Sequence, residues 1–214
     1  MLEGVNTHIT NEKIEASSSL SKEEQIEVIK GHFQAIMETL GLDLNDDSLS
    51  GTPERVAKMY VNEICSGLHP ENEPEVSLFK NNYEYDGMLL EKDIELYSMC
   101  EHHFVPIIGK VHVAYFANKH VIGLSKINRI VRYYAKRPQV QERLTMEVFN
   151  HLKDALGTDS VAVIVDAKHL CVNMRGVEDS KSSTITSKFG GKFLDSSIKD
   201  ELLKHINSDS SFDI

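Results

Sequence analysis

The amino-acid sequence predicts an α+β fold: an antiparallel β-sheet backed by two helices, with a helical extension at the N-terminus. Segments that are rich in β-branched residues or alternate in polarity indicate strands, and segments with apolar residues at helical spacing indicate helices. The predicted strands lie at 94–98, 107–116, 161–165 and 183–189, and the two helices lie at 125–135 and 140–156. Their order, β-β-α-α-β-β with short connections, is typical of an α+β layer. Because the outer strands of such a sheet have unpaired edges, we expect subunits to associate through them.

The N-terminal extension is predicted to contain two helices. The first follows Ser21, which has the spacing of a capping box with Glu24, and it stops at Gly41. The second opens at Thr52, which precedes a proline and an acidic residue in the first turn. Residues 68–88 are then expected to form a connector with short extended pieces.

Local features refine the second half of the chain. Gly109 suggests a β-bulge in the second predicted strand, and Ser125 is expected to cap the helix that follows it. The segment His169–Arg175 is predicted to be a strand. Ser196 or Ser197 is expected to cap a short C-terminal helix.

The elements divide the chain into four parts. Residues 1–20 are polar and read as a mobile tail, and residues 21–88 form the helical region and its connector. Residues 89–206 are predicted to be the main folded domain. Residues 207–214 form a second polar tail.

Composition limits the classes of partner and compartment. The net charge of −10 argues against nonspecific binding of nucleic acid, because a polyanion would be repelled. The sequence has no apolar run long enough to span a bilayer and no basic-then-apolar leader, so we expect no membrane partner. An odd count of three cysteines favours free thiols or metal ligands over a disulfide framework, which predicts a reducing, cytoplasmic location.

The densest group of metal-binding side chains lies in the segment Ser98–Pro106. Cys100 and His103 have the Cys-x-x-His spacing that suits two zinc ligands from one turn. A catalytic zinc site uses three protein ligands and keeps the fourth position for water. Cys171 also has a histidine close by, whereas Cys65 stands alone in a predicted helix. We therefore predict that Cys100, His103 and Cys171 bind Zn²⁺.

Two histidines remain for proton transfer. His102 lies between the first two ligands, and His169 lies two residues before Cys171. An imidazole can accept and donate protons near pH 7. The less specific alternatives are that His102 supports the metal from outside its ligand shell, that His169 is an ordinary strand histidine and that the cysteines are inert core residues.

Basic residues are concentrated between Lys119 and Arg143, a segment with seven Lys or Arg side chains and one acid, Glu142. A solvated helix face is the usual explanation for such a run, and a small polyphosphate pocket is the alternative. Arg55 lies in the first turn of a predicted helix, where a cation opposes the helix dipole. It is therefore either an anion contact or a solvated side chain.

Four motifs together resemble the GTP cyclohydrolase I family. The first is Ser98-Met-Cys-Glu-His-His-Phe-Val-Pro106, and the others occur in the order that the family shows. They are Ile122-Gly-Leu-Ser-Lys-Ile-Asn-Arg129, Arg137-Pro-Gln-Val-Gln-Glu-Arg143 and the segment from His169 through Cys171 to Arg175-Gly176. The resemblance runs from about Ser21 to about His205.

This resemblance implies a fold, an assembly and a reaction. The fold would be the tunnelling fold, in which the sheets of several subunits join into a barrel, and the assembly would be a homodecamer. The reaction would open the guanine ring of GTP at C8, release formate and rearrange the ribose. It would end in 7,8-dihydroneopterin triphosphate, at the entry of tetrahydrofolate and pterin biosynthesis.

The resemblance also implies roles for individual residues. His102 and His169 would transfer protons, and Ser125 would serve the ribose during its rearrangement. Glu142 would bind guanine with Gln141 beside it. The triphosphate would be held by Lys126, Arg129, Arg175 and, from a neighbouring subunit, Arg55.

Two other classes of protein are alternatives to this prediction. A zinc nucleobase deaminase also uses His and Cys ligands, but its signature needs a Pro-Cys-x-x-Cys element after His-x-Glu, and no Pro-Cys-x-x-Cys occurs here. A non-catalytic protein of the same fold would keep zinc for structure and bind a purine nucleotide for regulation. The presence of both His102 and His169 argues against that alternative, and a turnover assay with GTP separates the two.

Overall fold

The computed structural model describes residues 20–208. By their internal contacts the residues form two compact units, one ending at Ala57 and the other beginning at Lys58. Across residues 20–208, no helix combines the length and the apolar content needed to cross a membrane.

The first helix, α1, extends over Lys22–Thr39 and begins with the predicted capping box. The Ser21 hydroxyl accepts a hydrogen bond from the Glu24 backbone N–H at 3.2 Å, and the Glu24 carboxylate accepts one from the Ser21 N–H at 2.8 Å. Two N–H groups that the helix leaves without partners are thereby satisfied. Gly41 follows the helix with φ at +78°, which confirms its predicted role in the stop.

The second helix, α2, covers Thr52–Met59, and the chain continues through a π-helical turn at Tyr60–Ile64. Two 3₁₀ turns then complete the connector, at Ser66–Leu68 and Pro70–Asn72.

The second unit is built on a five-stranded sheet with the strand order β5-β2-β3-β6-β7. All neighbouring strands are antiparallel except β2 and β5. The strands of this sheet are β2 (Met88–Cys100), β3 (Pro106–Phe116), β5 (Pro138–Gln139), β6 (Val161–His169) and β7 (Thr184–Phe189). A separate two-stranded ribbon pairs β1 (Leu78–Lys80) with β4 (His120–Ile122).

Four helices accompany the sheet: α3 (Leu124–Ala135), α4 (Gln141–Leu156), α5 (Leu170–Asn173) and α6 (Ser196–Asn207). The apolar sides of α3 and α4 form the larger core with one face of the sheet, where Leu96, Ile127 and Leu144 are fully buried. On the other face, Leu202 of α6 packs into a smaller core with Phe193. The predicted antiparallel sheet backed by two helices is confirmed.

Gly109 was expected to mark a bulge, and that prediction is wrong. Gly109 pairs in regular register with Ala167, and the bulge lies in β2 between Glu91 and Ile94. A Cβ atom at position 109 would collide with the backbone of Asp166 and Ala167. The glycine is therefore required by close packing of β3 on β6 and not by an irregular strand.

The serine caps predicted for α3 and α6 are also wrong. α3 begins at Leu124 after an N-cap at Gly123, so Ser125 lies inside the first turn. α6 is capped by Asp195, whose carboxylate accepts a hydrogen bond from the Ser197 N–H at 2.8 Å. A carboxylate is as good an N-cap as a hydroxyl, and here it lies one position before the serines.

The domain boundaries stay predictions. The predicted division at 88/89 differs from the division into compact units at Ala57 and Lys58. The predicted tails, 1–20 and 207–214, lie almost entirely outside the described residues.

Candidate metal centre and active site

The three predicted metal ligands lie together. One donor atom each from Cys100, His103 and Cys171 falls within 4.8 Å of the others, and the Cys100 Sγ is 4.0 Å from the His103 Nδ1. Around a tetrahedral zinc ion, with Zn–S near 2.3 Å and Zn–N near 2.0 Å, donor atoms lie about 3.5–4 Å apart. The donor set and its spacing therefore fit zinc.

A tight loop between β2 and β3 brings His103 beside Cys100. The Cys100 N–H donates to the Val105 carbonyl at 2.8 Å, and the Phe104 N–H donates to the Cys100 carbonyl at 2.8 Å. Phe104 has φ at +52°, a left-handed conformation that lets the chain reverse within so few residues. The backbone geometry thus positions two of the three ligands before any metal binds.

Cys171 reaches the group from α5, and the predicted strand over His169–Arg175 is wrong. The strand β6 ends at His169, which is its last residue paired with β3. The next residues form one helical turn, closed by a hydrogen bond from the Met174 N–H to the Leu170 carbonyl at 3.0 Å. Had the strand continued, Cys171 would lie about 6.6 Å further along it. The turn carries its thiol towards Cys100 instead.

The thiols of this chain differ in their surroundings. Burial raises the pKa of Cys171, and the neighbouring Cys100 thiol raises it further. A bound cation would oppose both effects, because a coordinating thiol is deprotonated. Burial also raises the pKa of Cys65 to about 11, so Cys65 remains a protonated and unreactive thiol.

His102 lies at the exposed side of the metal group. Its Nδ1 is 3.9 Å from the Cys100 Sγ, and its Nε2 is 3.9 Å from a carboxylate oxygen of Glu101. The side chain is 64% exposed, so it is open to an incoming molecule. The structure places this predicted proton-transfer group directly beside a metal ligand.

His169 is held by a hydrogen bond from its Nε2 to Gln141 Oε1, at 2.7 Å. The Gln141 amide nitrogen faces the carbonyls of Val165 and Thr184 at 3.1 and 2.8 Å, so its oxygen is the atom that faces the histidine. The His169 Nε2 must therefore carry a hydrogen, and the neutral ring keeps its lone pair on Nδ1. Burial lowers the pKa of His169, and the nearby Glu142 carboxylate partly opposes that shift.

The predicted guanine-binding residues differ in their orientation. Glu142 is exposed in the first turn of α4, and its charge acts on His169. Gln141 is only 1% exposed, and its amide is used by His169 and the backbone of the sheet. Arg175 follows α5, where its charge acts on Cys171. Glu142 thus lies near His169 and Arg175 near Cys171, while Gln141 is buried and binds His169.

The predicted ribose-binding residue Ser125 and the predicted phosphate-binding residues Lys126 and Arg129 all lie on α3. Ser125 and Lys126 belong to its first turn, and Arg129 lies one turn further. Arg129 lines an open pocket of about 490 Å³ together with Arg132 and Lys136. Within residues 20–208, no hydrogen bond or ion pair joins Ser125, Lys126 or Arg129 to a metal ligand. Their proposed contacts with substrate stay predictions.

Arg55 lies in the first compact unit. Its guanidinium donates to the Ser48 carbonyl at 3.0 Å and to the Thr52 hydroxyl at 2.9 Å. These contacts stabilise the start of α2. The predicted role of Arg55 in the site of a neighbouring subunit stays a prediction.

Sequence reasoning assigned no role to Glu101 or Arg143. Both lie inside the quoted motifs, and the structure joins their side chains in an ion pair beside the metal-ligand loop. Arg143 also donates to the Gln139 side chain at 2.8 Å. The sequence shows an acidic residue next to a predicted ligand and a basic residue in a second motif. Their spacing alone does not show that the two side chains meet.

Comparison with known proteins agrees with the four motifs. A family model described as GTP cyclohydrolase I matches residues 29–207. GTP cyclohydrolase 1 of Flavobacterium johnsoniae is 58% identical over 198 residues, covering 92% of this chain and 89% of the relative. GTP cyclohydrolase 1 of Aeromonas salmonicida is 54% identical over 177 residues, covering 83% and 81%.

Among solved structures, the archaeosine synthase QueF-Like in the apo form is similar with a TM-score of 0.41 and 17% sequence identity. The match covers 49% of this chain and 93% of that one. A likeness this low supports no conclusion about the fold or the function. Family membership follows instead from the match to the family model, which spans most of the chain, and from the high identity to both relatives. This chain belongs to the GTP cyclohydrolase I family.

Proposed function

We propose that this protein hydrolyses GTP at C8 of the guanine ring, releases formate and forms 7,8-dihydroneopterin triphosphate. The observation that carries the proposal is the convergence of Cys100, His103 and Cys171 with two histidines that are not part of the ligand set. Membership of the GTP cyclohydrolase I family supports the substrate and the product. This reaction begins the biosynthesis of pterins and tetrahydrofolate.

Zn²⁺ is the proposed metal. Two thiols and one imidazole form a donor set that zinc favours, and three protein ligands leave a fourth position open. When bound, zinc would supply Lewis-acid activation of water for attack on the ring carbon. The side chains around the metal would bind the substrate and transfer protons.

His169 and His102 are proposed to transfer protons. His169 presents Nδ1 as its proton acceptor, because Gln141 holds the hydrogen on Nε2. The lowered pKa of His169 keeps the ring neutral at pH 7, which is the form that accepts a proton. His102 is the exposed partner and is suited to exchange protons with solvent or with the leaving nitrogen.

Substrate would be held at its two ends. The exposed Glu142 carboxylate suits the N–H donors of guanine, because a carboxylate accepts two parallel hydrogen bonds. Ser125 is proposed to serve the ribose. Cations would hold the triphosphate, and the proposed set is Lys126, Arg129, Arg175 and Arg55 of a neighbouring subunit.

Incubation of the purified protein with GTP tests the reaction. We expect the absorbance spectrum to change from that of guanine to that of a reduced pterin, with one formate released per GTP. Mass spectrometry identifies the triphosphate product. GTP that binds but stays intact through the incubation would favour a nucleotide-binding protein without turnover and would contradict the proposal.

We further propose that the subunits form a homo-oligomer, most simply the decamer of the family resemblance. The strand β7 lies at one edge of the sheet, and several of its residues are exposed. Such an edge offers unpaired backbone groups to another subunit. Light scattering is expected to give a mass that is a large multiple of 24.1 kDa. An active particle with the mass of one subunit would contradict this proposal and the role of Arg55 across subunits.

The proposed location is the cytoplasm. Cys65, Cys100 and Cys171 are all free thiols in the structure. Thiolate ligands persist where the environment is reducing.

A further inference from the structure

We propose that Arg143 is a positioning residue that fixes the metal-ligand loop, residues 100–105, by binding the Glu101 carboxylate. The inference deepens the proposed function, because it assigns a residue that holds the metal ligands and His102 in their working arrangement. The hydrogen bonds of the Arg143 side chain go to Glu101, Pro138 and Gln139 and not to the predicted ligands.

The Arg143 guanidinium binds three acceptors at once. Its NH2 group donates to the Glu101 carboxylate and to the Pro138 carbonyl, the latter at 3.0 Å. Its Nε donates to the Gln139 side-chain oxygen at 2.8 Å. The planar guanidinium presents donors in fixed directions, so binding all three acceptors sets both its position and its orientation.

Glu101 connects this guanidinium to the metal group. One carboxylate oxygen binds Arg143, and the other lies 3.9 Å from the His102 Nε2. The Glu101 backbone N–H also donates to the Gln139 carbonyl at 3.1 Å. Glu101 directly follows the ligand Cys100, so its position constrains the start of the loop.

On its other side, Arg143 binds a group that is buried and hydrogen-bonded in the interior of the domain. Gln139 is fully buried, and its amide donates to the Tyr134 carbonyl at 2.9 Å and to the Glu147 carboxylate at 2.7 Å. Glu147 in turn binds the buried Arg137 guanidinium at 3.4 Å. In addition, Gln139 pairs with Cys100 through the strand ladder of β5 and β2. Arg143 therefore links the loop to the interior of the domain.

The expected consequence is on metal binding more than on folding. The side chains of Arg143 and Glu101 are 31% and 32% exposed, and an ion pair that is open to solvent contributes little to stability. Residues that orient metal ligands from outside the ligand shell typically change metal affinity by about 10–100-fold when they are replaced. We expect a change of that size for Arg143.

The test uses the full-length protein and two metal probes. Zn²⁺ affinity is measured by competition with a chelator, and the geometry of the site is read from the absorption bands of bound Co²⁺. The variants are Arg143→Gln, Arg143→Lys and Glu101→Gln. Lys153→Gln is the matched control, because Lys153 lies on the same helix as Arg143, α4, and the change breaks a 2.7 Å ion pair with Asp159.

We expect Arg143→Gln to weaken Zn²⁺ binding by about 10–100-fold and to shift the Co²⁺ bands, while Lys153→Gln changes neither. Arg143→Lys should resemble Arg143→Gln, because an ammonium group cannot reproduce the planar arrangement of donors. Parental zinc affinity and Co²⁺ bands in Arg143→Gln would overturn the proposal. Full recovery in Arg143→Lys would overturn the part of it that depends on guanidinium geometry.

A double-variant cycle tests whether Arg143 acts through Glu101. If Arg143 acts through Glu101, Arg143→Gln combined with Glu101→Gln should bind Zn²⁺ about as weakly as the worse single variant. If the losses of zinc affinity in the two single variants add up in the double variant, the proposed connection through Glu101 is contradicted. The readouts need no GTP, so they remain decisive even if the parent protein fails to convert GTP.

Discussion

Cys171→Ser is expected to lose its zinc and its turnover of GTP together. A tetrahedral site with three protein ligands loses a third of its protein donors, and the hydroxyl that replaces the thiolate is a much poorer ligand for zinc. Replacing groups outside the ligand shell already costs about 10–100-fold in metal affinity or activity, so loss of a ligand should cost more. Cys100→Ser and His103→Ala are expected to behave in the same way.

Metal analysis of the purified variants, beside an activity assay, checks this expectation. Cys65→Ser is the matched control, because Cys65 is a half-buried thiol outside the metal group, with its pKa raised to about 11. It should keep full zinc and full turnover. A zinc content of one per subunit in Cys171→Ser would show that the ligand assignment is wrong.

His169→Ala is expected to keep its zinc and still bind GTP while turnover falls by about 10²–10⁴-fold, the usual contribution of a general acid or base. The reason is that His169 presents Nδ1 as a proton acceptor through its bond to Gln141 and lies two residues from a ligand. The reaction has two separable halves, ring opening and ribose rearrangement. A variant that stops between them should accumulate a ring-opened formamide with the mass of GTP plus one water.

The matched comparison for His169→Ala is Arg175→Gln. A phosphate-binding cation contacts the substrate in the ground state and the transition state alike, so its loss should mainly raise KM. The histidine variant should instead lower kcat. Near-normal kcat in His169→Ala, with zinc retained, would rule out a proton-transfer role for that residue.

Helix boundaries were predictable where a local signal determines them. The capping box at Ser21 and the glycine stop at Gly41 depend on residues within one turn, and both occur as predicted. The strand predicted from His169 to Arg175 failed because alternation of side chains cannot show that the sheet ends at His169. That ending depends on the length of β3, its partner, which lies far away in the sequence.

The grouping of Cys100, His103 and Cys171 was predictable because the chain has only three cysteines and two of them lie in short motifs with histidine. Their convergence is confirmed at the level of donor atoms within 4.8 Å. The orientation of Gln141 was not predictable, since a residue at a helix N-terminus can face either the solvent or the sheet. Its burial and its bond to His169 emerge only when α4 is placed on β6 and β7. The ion pair of Glu101 with Arg143 also requires the tertiary structure.

The most direct test of the account is a zinc titration of metal-stripped protein, read as formate released from GTP that is labelled at C8. The account predicts no formate without metal, a linear rise as Zn²⁺ is added, and saturation at one zinc ion per subunit. The same titration of Cys171→Ser should stay near zero throughout. Formate release from fully metal-free protein at the rate of the zinc-loaded protein would contradict the central claim that the Cys100–His103–Cys171 group carries the reaction.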